Sequence, residues 1–577
     1  MPSTAIVPPT LSETWRARRV LVAAAVACTF GLLLVATSTH LPIVWDEGNQ
    51  ITRAEGVARW LGRVRGHVPS PPGGGPFDAA TIRGDWQYTI VLEGHPALCG
   101  VLIALGSWLS TGWLPPLTSA RLGSMALFAL AAGVVFYRLW RERSLAAAVV
   151  AVGALAAMPR LFAHAHFATT DGPLTAAWLI AWAIWHPALR DARLAVAWGI
   201  ALGLALSAKF TGWLAPVPFL VWSLLYRDRA GLRVLALGLP VAVATFILLN
   251  PPLWHAPLAG IRTFLDLNMH RPAHHAGAAT EFLGQIYGLG HPLPWYNAFL
   301  WTAITVPPLL LALAAVGLAT ASARWRDDPE GILVIGQWAM LLVIRALPRT
   351  PPYDAERLIL PSFGFLAVLA GLGASRLLHG TIGLRPDVAP LRRWAVALIT
   401  VAFAASGTQM VRYAPQFLSY YNVFIGGIRG ATERGMEPTY YWDGLDQQVW
   451  DWLNRATPAH GKIAFGSAPA QGLALLQKWG VLQRGFRPNE PGDYRWYVIQ
   501  RRPSTWDPWD RWLVEHEQPA YERRLLGVPL IDIYSYNQFA HAARAVGKHA
   551  EGKHPRYGPF LGEYRAPDDV SHASKYS

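Results

Sequence analysis

Charge is what this sequence has least of: 15% of its 577 residues are Asp, Glu, Lys or Arg, where an ordinary soluble protein carries about a quarter. That deficit excludes a chain whose surface meets water on every side. Cysteine is scarcer still, with only Cys28 and Cys99, both in apolar stretches, which excludes a disulfide framework or a thiolate metal centre. No inverted repeat is visible, which argues against a transporter architecture. Acidic residues are outnumbered, leaving a net charge of +14. Such a balance suits either nucleic acid or the arginine-rich cytoplasmic loops of a membrane protein, and the placement of the arginines decides for the second.

What the chain does have is apolar runs. Arg16, Arg18 and Arg19 lead into residues 20–39, an uncharged stretch of twenty, long enough to span a bilayer and too long for the apolar part of a signal peptide. Further runs follow at 118–137, 145–168, 173–189, 194–208, 212–226, 234–250, 297–322, 331–347, 358–375 and 394–411. Residues 95–110 are shorter and read as an interfacial helix. With that choice, alternate loops and the N-terminus collect seventeen arginines, among them Arg138, Arg143, Arg190, Arg229, Arg324, Arg385 and Arg393. The opposite short loops hold only Arg160, Lys209, Arg345, Arg349 and Arg357. The positive-inside rule then predicts about eleven spans in a cell inner or plasma membrane, with the N-terminus inside.

The expected fold class is therefore a polytopic α-helical membrane protein with a C-terminal extracytoplasmic α/β domain. The expected divisions are a cytoplasmic segment 1–19, a transmembrane catalytic domain 20–412 with outer loops 40–117 and 251–296, and a soluble domain 413–577. In that tail, 446–455 and 470–479 read as amphipathic helices, and Lys462–Phe465, Tyr494–Gln500 and 530–534 as strands.

Ionisable residues at membrane depth are costly and invite a functional explanation. Here they gather on the predicted outer side: Asp46 and Glu47 just after the first span, His95, Arg121, Arg160, His164, His166, Asp171, Lys209, Asp354, Glu356 and Arg357. Carboxylates at that depth can act as general base toward a hydroxyl. Lys and Arg can neutralise a phosphate, Arg in bidentate fashion. A substrate with a polyprenyl tail, a phosphate at the interface and a sugar beyond it suits both needs.

The bland alternatives are specific. Asp46-Glu47 could be solvated charges flanking a helix, Asp171 a helix N-cap, Lys209 a snorkelling side chain, and Arg121 and Arg357 interface anchors. His164 and His166, two apart, cannot share a helix face. His270, His274, His275 and His291 read as solvated loop residues.

Taken in order, the motifs resemble a known group. Asp46-Glu47, His95-Pro96-Ala97-Leu98, Arg121, Thr170-Asp171-Gly172-Pro173, the GLALSAKFTG turn carrying Lys209, and Arg357-Leu-Ile-Leu-Pro361 resemble the motifs of GT-C-type glycosyltransferases. Within that type the likeness is to the protein O-mannosyltransferase group, which includes the bacterial lipid A aminoarabinose transferase. The tail segments Ser419-Tyr-Tyr-Asn422, Gly426-Gly427 and Tyr441-Trp442-Asp443 are similar to those of bacterial members. The resemblance implies inverting transfer from a polyprenyl-phosphate sugar to an extracytoplasmic acceptor hydroxyl. Asp46 or Glu47 would be the base, Asp171 a second acidic residue, and Lys209, Arg357, Arg121 and His95 the donor-binding set. It leaves open a divalent metal (Mg, Mn or Zn), with Asp46, Asp171 and His164 as candidate ligands. The implied partners are the lipid-linked donor, the bilayer and an acceptor that is protein, lipid or glycan, with no nucleic acid. Two other functions suit the same charges: a transporter or flippase of lipid-linked saccharide, and a non-catalytic polysaccharide-assembly protein.

Overall fold

The computed structural model describes residues 11–86, 94–270, 279–288, 290–348, 350–352, 355–379, 389–486, 494–547, 553–554 and 558–559. Asp354, His274, His275, Arg349 and Arg385 lie outside the described residues. The chain is a bundle of apolar helices with a sheet-containing domain at its C-terminal end.

Among the described residues six helices are long and apolar enough to cross a bilayer: Trp15–Ser38, Pro116–Glu142, Arg229–Leu249, Pro329–Ala346, Ala355–His379 and Arg392–Tyr413. Leu98–Ser110, Leu194–Ala208, Phe210–Leu225 and Pro308–Ala323 are shorter apolar helices. Asp171–Arg190 runs through the middle of the bundle, and its Trp178, Trp182 and Trp185 are fully buried.

Two of the expected spans are not single helices. The run 145–168 is Leu145–Ala157 followed by Pro159–His166, bent by 77°. The run 297–322 is Asn297–Thr305 followed by Pro308–Ala323. Proline explains both breaks, because it lacks an amide hydrogen and drives the residue before it out of the helical region. Met158 is accordingly extended before Pro159, and Val306 before Pro307. A break leaves carbonyls that need donors at a depth where water is scarce. At the second break Asn422 supplies them: its side-chain nitrogen donates to the carbonyls of Ala303 and Val306, each at 2.7 Å, and its backbone nitrogen to that of Ile304 at 2.8 Å.

Residues 40–86, at the start of the first outer loop, hold more helix than their Pro/Gly-rich centre suggests. They contain the amphipathic helix Trp45–Val64 and the short helix Ala79–Asp85. Arg59 and Arg63 of the first both donate to Asp85 of the second, at 2.7 and 2.8 Å.

The tail forms a five-stranded mixed sheet in the order Gly485–Phe486, Lys462–Phe465, Tyr494–Gln500, Val528–Ser535, Tyr521–Leu525. The first three strands are parallel and the last pairs antiparallel. The helices Gln447–Ala456 and Ala470–Lys478 and the central strands fall where alternation and periodicity placed them. Helix Ala470–Lys478 packs on helix Trp45–Val64, and the approach is close. A Cβ built at Gly48 would stand 2.3 Å from the backbone nitrogen of Gly472. Lys478 pairs with Glu55 at 2.8 Å beside this contact.

The charges of the arginine-rich loops meet at their own end. Arg138 donates to Glu330 at 2.8 Å, Arg143 pairs with Asp328, and Arg190 pairs with Glu142 at 3.1 Å.

Candidate active site

Asp46 and Glu47 are adjacent in sequence, open the same helix, and have opposite surroundings. Glu47 is fully buried. Its Oε1 accepts from Arg121 Nε at 2.7 Å and from the amide of Ala168 at 2.9 Å. Its Oε2 accepts from Arg121 Nη2 at 2.7 Å and from the amide of Val44 at 3.1 Å. Arg121 directs its remaining donors to the carbonyls of Ser38, Leu41 and Pro42, at 2.7–3.0 Å. A guanidinium has five N–H donors, and these contacts occupy all of them. Arg121, expected among the donor-binding set, spends these donors on tying the end of the first span to Glu47. Glu47 in turn has its oxygens engaged by four donors and no exposure.

Asp46 is the exposed member of the pair, its side chain 29% accessible. It accepts from Arg357 Nη1 at 2.7 Å. The Nε of Arg357 stands 3.5 Å from Asp171 Oδ2, and Asp171 Oδ1 accepts from Lys209 Nζ at 2.5 Å. The result is a row of alternating charge, Asp46–Arg357–Asp171–Lys209, assembled from four separate parts of the chain.

Each member has a local reason for its place. Asp46 is held in the first turn of its helix. Asp171 also lies in a first turn, behind Thr170 at the N-cap position, so it is not the cap itself. Gly172 lets this turn lie against the preceding short helix, since a Cβ there would stand 2.5 Å from the His164 carbonyl. Lys209 ends helix Leu194–Ala208 in extended backbone, which turns its side chain under Asp171. Arg357 sits in a 3-10 turn, Ala355–Ile359, entered through Ala355 at φ +48°.

Arg160 is drawn elsewhere. It is buried, pairs with Glu356 at 2.6 Å and donates to the Tyr420 carbonyl at 2.9 Å. The Tyr421 ring lies 4.6 Å from its Cζ. His166 bridges Thr37 Oγ1 at 2.8 Å and the Phe162 carbonyl at 2.7 Å, a packing role between helices. His164 is buried against Phe167 and Tyr441, with ring centroids at 5.6 and 5.9 Å. His95 stands half-buried just before helix Leu98–Ser110, whose start is fixed by the Ala97 amide donating to Asn250 at 2.8 Å.

Among the described residues no group of three or more His, Cys, Asp and Glu side chains is placed to hold a metal ion. Asp46, Asp171 and His164 do not form the ligand set expected of them. Arg357 lies between the two carboxylates, and Lys209 occupies the second oxygen of Asp171.

The tail contributes residues to which the sequence alone assigned no role. The Tyr441 ring lies 4.5 Å from Arg357 Cζ, and the Trp442 ring lies tilted against Trp45 at 4.1 Å between centroids. The signal was present in the sequence as Tyr441-Trp442-Asp443, but nothing there showed which membrane element it would meet.

The fold and this site define a polytopic helical membrane protein with a charge row at one end of its bundle, buried except at Asp46 and met by a C-terminal domain. Residues 94–255 match the model of the dolichyl-phosphate-mannose-protein mannosyltransferase family. That stretch contains His95, Arg121, Asp171 and Lys209, four of the residues that carried the resemblance. No curated protein matches the chain. Among solved structures, ArnT from Cupriavidus metallidurans in the apo state is 17% identical, over 92% of this chain and 99% of that one, with a TM-score of 0.46. ArnT bound to undecaprenyl phosphate is 16% identical, over 91% and 99%, at 0.44. The Archaeoglobus fulgidus oligosaccharyltransferase in complex with Zn and sulfate is 11% identical, over 84% and 68%, at 0.45.

Proposed function

We propose that this protein is a glycosyltransferase that moves a sugar from a polyprenyl-phosphate donor to an acceptor hydroxyl on the extracytoplasmic side, with inversion at the anomeric carbon. One observation carries the proposal: the Asp46–Arg357–Asp171–Lys209 row, which sets an accessible carboxylate beside two cations at the end of a membrane bundle. The match to a family described by a dolichyl-phosphate-linked sugar supports the donor class.

In this account the donor's phosphate approaches Arg357 and Lys209 and competes with Asp46 and Asp171 for them. Arg357 can turn its planar donor face to two phosphate oxygens. As it does so, the Asp46 carboxylate is freed. Asp46 then accepts the proton of the acceptor hydroxyl while the oxygen bonds to the anomeric carbon. The bond from that carbon to the phosphate oxygen breaks, and the leaving phosphate takes the electron pair. Stabilising that growing charge is the work of the two cations. Asp171 holds Lys209 and the far side of Arg357 in place for it. Glu47 and Arg121 fix the turn that carries Asp46. His95, on the helix start beside this end of the bundle, is proposed as a contact to the donor sugar. Two of the candidate metal ligands are themselves paired with cations, Asp46 with Arg357 and Asp171 with Lys209.

The test is turnover by purified protein of radiolabelled polyprenyl-phosphate mannose, glucose and aminoarabinose. Release of polyprenyl phosphate from at least one is the expected result. Release from none, with sugar instead moved intact across a vesicle membrane, would replace the transferase by a transporter.

A further inference from the structure

Tyr441 and Trp442 belong to the tail, yet they meet Arg357 and Trp45, the residue before Asp46. The Tyr441 ring lies on the guanidinium of Arg357, centroid to Cζ 4.5 Å. Its carbonyl accepts from the amide of Trp45 at 3.3 Å, the residue before Asp46. The Trp442 ring lies tilted against Trp45, with centroids 4.1 Å apart and planes 37° apart. On the tail side, Arg502 Cζ stands 3.8 Å from the Trp442 ring, and Trp442 Nε1 donates to Ser467 Oγ at 3.0 Å. Trp442 has φ +61°. A bulky aromatic seldom adopts left-handed backbone, and such strain persists where the surroundings over-determine it. Here Arg502, Ser467 and Trp45 do so. Arg357 has its own strained neighbour in Ala355, at φ +48°.

We propose that Tyr441 and Trp442 are positioning residues of the transferase, through which the soluble domain aims the base and the phosphate-binding arginine at each other. This rests on the function proposed above. An arginine side chain has several free rotors, and its fork is useful only when its plane is set. The Tyr441 ring covers one face of the guanidinium and leaves its edge to Asp46 and Asp171. Trp442 does the same for the other partner by holding Trp45, so the first turn of the base-bearing helix cannot roll. The tail is then part of the reaction centre and not a separate glycan-binding module.

The experiment measures kcat and donor KM with the full chain and the turned-over donor from the panel above. Tyr441→Leu is expected to lower kcat/KM tenfold or more, and Tyr441→Phe to keep it within threefold, since Phe retains the ring face. In an Arg357→Lys background, where the planar fork is gone, adding Tyr441→Leu is expected to cost threefold or less. Should Tyr441→Leu misfold, 3,4,5-trifluorophenylalanine at 441 keeps the ring shape and weakens its face, and a fivefold loss relative to Phe is expected. Wild-type turnover by Tyr441→Leu, or an equal loss with and without the Arg357→Lys change, would overturn the positioning role while leaving the transferase standing. Absence of turnover by the wild type would remove both.

Discussion

Arg357 donates to Asp46 at 2.7 Å across 311 positions of sequence. The pair joins the turn before one membrane helix to the turn after another, and it keeps the accessible carboxylate neutralised. Replacing Arg357 with Gln should therefore remove the leaving-group cation and release Asp46 together. The expected result is a fall in kcat/KM of at least a hundredfold, in line with the loss of a charge-stabilising donor. Arg357→Lys should recover part of it, because a point charge remains where the bidentate fork is lost. Kinetics on purified variants check both.

Glu47 and Arg121 should behave differently. Removing one partner of a buried ion pair leaves an uncompensated charge and costs about 3–5 kcal/mol. Arg121→Met should lower folded yield and thermal stability in detergent, and Glu47→Gln should do so less. Turnover per folded molecule should stay within tenfold of wild type for Glu47→Gln. A normally stable Glu47→Gln protein without activity would contradict the division of labour between the two neighbouring acids.

The docking of the tail is testable at Gly48. A Cβ there would lie 2.3 Å from the Gly472 backbone nitrogen, and neither backbone can step aside cheaply. Overpacking of this kind costs about 1–3 kcal/mol. Gly48→Ala should expose the tail to limited proteolysis and reduce turnover. Gly84→Ala, where the new methyl would meet nothing within 4 Å, should do neither.

The tail should also lose stability as pH rises. Burial pushes the Glu437 carboxyl up from 4.5 to about 7, against the opposing pull of Arg502. A carboxyl raised in the folded state binds more protons there than when unfolded. Its contribution is full below about 4.5 and disappears as pH passes about 7. The size is about 3–4 kcal/mol at most, from about 1.4 kcal/mol for each pH unit between those two values. Asp443 and Asp532, both raised to about 6 by burial, act in the same direction. Hydrogen exchange of the sheet between pH 5 and 7.5 should show the slope, and Glu437→Gln should flatten it.

Much of this arrangement was legible from charge and hydropathy. Arginine asymmetry put Asp46, Asp171, Lys209 and Arg357 on one side, and the structure brings those four into one row. Which charge takes which partner was not legible, because topology fixes a side of the membrane and not a pairing. Arg121 is the clear example: the same face offered it a phosphate or Glu47, and only the fold shows its donors consumed by Glu47 and three carbonyls. The broken helices were written in Pro159 and Pro307-Pro308, but apolar length outweighed them. Ser419-Tyr-Tyr-Asn422 could not be understood without its target, since Asn422 satisfies carbonyls more than a hundred residues away.

The most direct measurement is polyprenyl phosphate release by Asp46→Asn, an isosteric change that keeps the helix turn and removes the base. The expected result is loss of at least a thousandfold in kcat with normal insertion and thermal stability. Turnover by Asp46→Asn equal to wild type would contradict the assignment of the base and return Glu47 to consideration.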